Sequence, residues 1–146
     1  MASDTKISIP SAQAMLDALV DQMEDLTTSE IHVFEGGTNA DAAVTPAGTL
    51  LAKLVCAATA FGAASSASPS VATAAAIASD TSADGTGEAG CFWAGAVTTP
   101  GTIAQGLIQG TAGISGETPD LVFDDDMIVT GGTVAITAWT ISMPTE

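Results

Sequence analysis

Glu30-Ile31-His32-Val33-Phe34 is where the chain changes period. Successive side chains of a strand point to opposite faces, so Ile31 and Val33 share one side and His32 and Phe34 the other. The residues before it follow a different spacing. Met15, Leu16, Leu19, Val20, Met23 and Leu26 recur every three or four positions, which is one face of a helix. Asp17, Asp21, Glu24 and Asp25 lie on its other side, and Ser11 can accept an early helix N–H as N-cap. The spacing predicts a helix over about 12–26. Acidic residues near its C-terminal end oppose the helix dipole, a conflict that a basic group on a partner relieves. Residues 1–10 read as an extended arm in which Ile7 and Ile9 alternate with Ser8, up to Pro10.

Downstream, short apolar runs alternate with turn residues. Gly36-Gly37, Asn39, Asp41 and Pro46 mark a long polar loop, and residues 50–56 a second strand. Residues 62–69 form a small-residue loop, 71–79 an alanine-rich strand and 80–87 a turn-rich stretch. Residues 88–97, with Cys91, Phe92 and Trp93, read as a central strand; Pro100-Gly101 turns the chain into a strand over 103–111. Short strands at 121–123 and 127–129 flank three aspartates, and Gly131-Gly132 leads into a last strand at 134–143. About seven or eight strands and one helix make the chain mainly β, an antiparallel β-sandwich or jelly-roll-like domain over residues 11–146. The last strand is apolar or small on both faces, with Trp139, Ile141 and Met143 on one of them. Its outer face therefore needs a cover, either the helix or a neighbouring subunit.

The charge balance excludes whole classes of partner. Of 146 residues 17 are acidic and two basic, Lys6 and Lys53, for a net charge of −15. Nucleic-acid binding requires several cations to displace counterions from phosphates, and anionic membranes repel such a chain. No run approaches the roughly 18 apolar residues of a membrane span. Residues 1–10 lack the basic and apolar blocks of a signal peptide, so synthesis in the cytoplasm is expected. Cys56 and Cys91 form no CxxC motif and read as buried thiols, with a disulfide open to them only on neighbouring strands.

Motifs for chemistry are sparse. A nucleophile–base pair needs a base near neutral pKa, and His32 is the one histidine, placed mid-strand with no GxSxG elbow in the chain. Asp124, Asp125 and Asp126 are the densest carboxylate cluster and the candidates for a metal site, without EF-hand spacing. Gly106, Gly110, Gly113 and Gly116 lack the GK[ST] ending of a phosphate loop and fit turns or close backbone approach. Phe92, Trp93 and Trp139 read as core rather than as a sugar platform. These residues point away from an enzyme and require no cofactor.

The order of motifs carries a resemblance. Met15-Leu16-Asp17-Ala18-Leu19 is followed by Phe34-Glu35-Gly36-Gly37, then Leu50-Leu51-Ala52-Lys53-Leu54 and Ala60-Phe61-Gly62. Thr86-Gly87-Glu88-Ala89-Gly90-Cys91-Phe92-Trp93 leads to Gly113-Ile114-Ser115-Gly116, Asp120-Leu121 and Ile128-Val129-Thr130-Gly131-Gly132-Thr133-Val134-Ala135-Ile136-Thr137. From about residue 12 to 143 this resembles a group of small tailed-bacteriophage virion proteins. The aromatic before that group's glycine turn is replaced by Phe34-Glu35, and the arginine that follows its tryptophan–phenylalanine pair is absent. The resemblance implies a virion structural subunit, foremost a capsid decoration or cement protein bound to the major capsid protein, with no catalytic residues. A homo-oligomer, a trimer at capsid three-fold positions, fits that role. A tail or head–tail connector component and a carbohydrate- or calcium-binding adhesion module are the alternatives. Ile7, Ile9, Trp139, Ile141 and Met143 are the interface candidates, the first two as a clasp that adds a strand to a neighbour.

Overall fold

In a computed structural model the chain is mainly β with a single helix among the described residues, which are 6–24, 28–57, 60–65, 70–74, 77, 79–114, 119–136 and 139–143. Helix α1 (Ile9–Glu24) comes first. The strands are β1 (Thr28–Phe34), β2 (Leu50–Val55), β3 (Ser70–Ala74), β4 (Gly87–Glu88), β5 (Cys91–Thr99), β6 (Thr102–Ile114), β7 (Leu121–Phe123), β8 (Met127–Ile128) and β9 (Trp139–Met143). The main sheet has the order β2-β1-β5-β6-β7. Its pairs are antiparallel except β6–β7, which is parallel. Two antiparallel ribbons, β3–β9 and β4–β8, accompany the main sheet.

The helix starts earlier than its apolar spacing predicts, and the arm is correspondingly shorter. Ser8, not Ser11, is the cap: its Oγ accepts the Ser11 N–H at 3.3 Å, and its carbonyl accepts the Ala12 N–H at 2.9 Å. Pro10 falls in the first turn, where a missing N–H leaves no bond unmade. Ile9 is therefore helical and not part of an extended clasp; residues 1–5 of the expected arm lie outside the described residues. Ala12, Leu16, Val20 and Met23 form the buried stripe. At the other end the described helix stops at Glu24, and 25–27 lie outside the described residues. Of the acids expected near the helix C-terminal end, Glu24 is used inside the chain, as is Asp17 nearer the middle of the helix. Glu24 Oε1 accepts the Phe61 N–H at 2.8 Å, and Asp17 Oδ1 accepts the Ala64 N–H at 2.6 Å. Both bonds tie the loop after β2 onto the helix.

Strand β5 is buried from Cys91 to Val97, so both faces of the sheet centre are covered. On one face Ile31 and Val33 stand beside Leu54 and Ala52 on β2 and Ala94 and Phe92 on β5. Trp139 lies over them, edge-on to Phe92 at 5.3 Å and to Phe61 at 5.8 Å. Met23 of the helix joins the same cluster. On the other face Phe34, Cys91, Trp93, Val97 and Ile103 pack together under the loop that joins β1 to β2. That loop is fastened by polar bonds: the Trp93 indole N–H donates to the Ala42 carbonyl at 2.7 Å, and the Asn39 N–H to Gln109 Oε1 at 2.9 Å. Gly106 makes the fit possible, since a Cβ there would lie 2.1 Å from the Trp93 indole nitrogen.

Two strand expectations change. The last strand is described over Trp139–Met143 and does not extend over 134–136, while 137–138 lie outside the described residues; Val134 makes an isolated bridge, exchanging backbone bonds with Asp80 at 2.8 and 2.9 Å. Of the expected alanine-rich strand over 71–79, Ser70–Ala74 is a strand and Ile77 bridges Cys56; 75–76 and 78 lie outside the described residues. The cover of the last strand comes from within the chain. Trp139 is 3% exposed, and Ile141 packs against Leu16 and Val20 of the helix. Trp139 is thus a core residue, which corrects its reading as an interface candidate. Trp139→Ala should lower the unfolding free energy of the isolated chain by about 3–5 kcal/mol, read by urea denaturation. A change within about 0.5 kcal/mol, as at a surface position, would contradict this placement.

Candidate functional site

Two places concentrate polar chemistry. The first is the row Lys53–His32–Trp93, which the register places side by side across β2, β1 and β5. His32 is 4% exposed and its strand neighbour Glu30, two residues earlier on the same face, is 1% exposed. His32 Nε2 lies 2.7 Å from Glu30 Oε2. The other carboxylate oxygen, Oε1, accepts the Gly101 N–H at 2.8 Å. Gly101 sits at the β5–β6 turn with φ of 82°, a left-handed conformation that favours glycine. The carboxylate is thereby held on both sides, by a ring and by a turn. The His32 ring stands edge-on to Trp93 at 6.2 Å. Burial lowers the His32 pKa from its usual value, and the Glu30 hydrogen bond opposes this without reversing it. Burial thus disfavours the imidazolium form, and the ring and the Glu30 side chain share one hydrogen bond.

Lys53 follows in the row, and its Nζ lies 3.4 Å from Asp84 Oδ2 in a partly exposed pair of the kind that contributes little stability. Through the Gly101 N–H on Glu30, the Glu30–His32 pair clasps β1 to the β5–β6 turn. Cys56 and Cys91 are free and buried, and burial pushes both thiols up, toward the unreactive protonated form. They do not occupy neighbouring strands: Cys91 opens β5, Cys56 follows β2, and β1 lies between.

The second place is the acidic turn between β7 and β8. Asp124 and Asp125 are exposed and Asp126 is half-buried. Asp125 Oδ1 accepts the Met127 N–H at 3.0 Å, and the Asp126 carbonyl accepts the Ala89 N–H at 2.9 Å. These bonds shape the turn and dock it on β4. The three carboxylates do not converge: among the described residues no three His, Cys, Asp or Glu side chains are grouped to hold a metal ion. Beside the turn is a cleft of about 380 Å³ with Phe123, Ile128 and Val134 in its walls and Asp124 and Asp125 at its mouth. Val122, Met127 and Val129 are exposed by 49%, 53% and 57%.

The remaining interface candidates are distributed. Ile7 is half-buried, Ile9 is 36% exposed at the helix start, and Ile141 is half-buried against the helix. Met143 pairs with Ser70 through the backbone, and its side chain lies outside the described residues. The apolar side chains at 122, 127 and 129 are the feature that sequence reasoning passed over. Its signal is present in Leu121-Val122-Phe123 and Met127-Ile128-Val129, which are apolar at both parities, so each run places an apolar side chain on each of its faces and needs two covers. Among the described residues no helix is long and apolar enough to cross a membrane. No family model, no curated protein and no solved structure matches the chain.

The Glu30–His32 pair predicts a pH signature. Folded His32 resists protonation, whereas unfolded His32 takes a proton near pH 6.5. Its stabilising contribution is therefore complete above pH 6.5 and is lost as pH falls through the lower folded value. The loss approaches about 1.4 kcal/mol per pH unit where only the unfolded chain is protonated. His32→Gln keeps a donor for Glu30 and has no proton to take up. The difference in unfolding free energy between wild type and this variant should shrink as pH falls from 7 to 5. A flat difference would contradict the neutral, buried state of His32.

Proposed function

We propose that this chain is a non-enzymatic structural subunit of a tailed-bacteriophage virion, a capsid decoration or cement protein that binds the assembled shell. The observation that supports it best is the exposure of Val122, Met127 and Val129 together along the β7–β8 segment, whereas Met15, Val44 and Val55 are exposed singly elsewhere. Soluble monomers bury or scatter such side chains, and grouped ones mark contact surfaces. The polar groups support the same reading. Glu30 and His32 are hydrogen-bonded to each other, both thiols are buried, and Glu24 at the helix end fastens the loop after β2. The layering of the β3–β9 ribbon over the main sheet, through Trp139 on Phe92, favours a sandwich-like, jelly-roll-like description of the fold. Homo-oligomerisation as a trimer at three-fold positions, beside the major capsid protein, completes the proposal.

The test is the content of the particle. Virions purified from cells that express the chain should contain it in a fixed ratio to the major capsid protein, measured by quantitative mass spectrometry. A chain that stays with the soluble lysate while intact particles lack it sinks the proposal.

A further inference from the structure

We infer that the β7 edge and the cleft beside it dock an extended segment of another protein in which apolar side chains alternate with lysine or arginine. The inference deepens the virion reading and rests on it for the existence of a protein partner.

The two edges of the main sheet are treated differently. At the β2 edge the backbone is closed: the Lys53 N–H donates to Asp80 Oδ2 at 2.9 Å, and the Leu51 carbonyl accepts from Asp84 and Gly85 at 2.8 and 3.1 Å. At the opposite edge β7 pairs with β6 on one side, and among the described residues no backbone bond closes the other. An open edge of this kind is a template for an added strand. Leu121 and Phe123 are buried and Val122 points outward, so a strand laid along β7 meets an apolar side chain there and the cleft next to it.

Charge selects the occupant. Asp120, Asp124, Asp125 and Asp126 flank the edge, and Glu88 stands opposite Met127 in the β4–β8 pair. None of these elements carries a basic residue. Lys53 is on the far edge of the sheet, held by Asp84, and Lys6 precedes the helix. A second copy would bring the same carboxylates against themselves. A basic, extended segment meets them with opposite charge, which favours the encounter and its register.

The experiment uses the full chain, labelled with nitrogen-15, and an acetylated peptide of about nine residues alternating lysine and valine, long enough to span an edge strand. A peptide with glutamate in place of lysine is the control. The lysine peptide should shift amide signals at residues 119–129 and 132–135, and weaken by about five-fold or more from low to high salt as screening rises. The Val122→Lys/Val129→Lys variant changes two exposed side chains, so its melting temperature should hold while peptide affinity falls by about tenfold or more. Shifts scattered over the acidic surface, or an equal response to the glutamate peptide, would overturn the inference. So would concentration-dependent shifts at the same residues without peptide, with a doubled mass by light scattering, since the occupant would then be a second copy. Failure here with the chain present on particles removes the docking edge alone. Peptide binding by a chain that particles lack removes the virion reading and keeps the edge.

Discussion

A strand buried on both faces must be covered twice, and β5 imposes that requirement on the whole chain. One cover is Trp139 with Phe61 and the helix stripe; the other is the loop between β1 and β2, fastened by the Trp93 indole N–H on Ala42. Both covers arrive from distant parts of the sequence. Each also depends on a small residue or an exact polar bond: Gly106 admits the Trp93 ring, and Gln109 receives the Asn39 N–H. With few large side chains available, the tryptophans supply much of the apolar contact area at the sheet centre.

The charge imbalance shapes the interior in a second way. With two lysines for 17 acids, most carboxylates find no cation, and several accept backbone N–H groups instead. Asp17 and Glu24 hold the loop after β2, Asp80 closes the β2 edge, Asp120 caps Thr111 and Glu30 holds Gly101. At each of these carboxylates the N–H donors take the place of water. The acids left without such work are mainly at the surface, and the turn after β7 is where they meet exposed apolar side chains. The proposed assembly function draws on that coincidence, with apolar contact area supplying affinity and charge supplying discrimination.

Much of the architecture was legible from local pattern. The helix stripe, the two faces of Glu30–Phe34, the central strand around Phe92 and the Pro100-Gly101 turn are all set by side-chain period and turn chemistry, which neighbouring residues determine together. The helix start was not. Ser8 and Ser11 are equally good caps by type, and the backbone geometry at Ser8 decided between them. Trp139 had the pattern of a residue needing a cover, but nothing local says whether the cover is a helix of the same chain or a neighbour.

What the sequence by itself determined is which side chains share a face and which partners the charge forbids. What only the tertiary structure decided is who meets whom: the parallel pairing of β7 on β6, the closed and open edges of the sheet, the burial of His32 against Glu30 and the inward turn of Trp139. Periodicity is a property of consecutive residues, so a sequence displays it directly. Pairing, edge closure and burial are contacts between segments far apart along the chain, and they exist only once the backbone has brought those segments together.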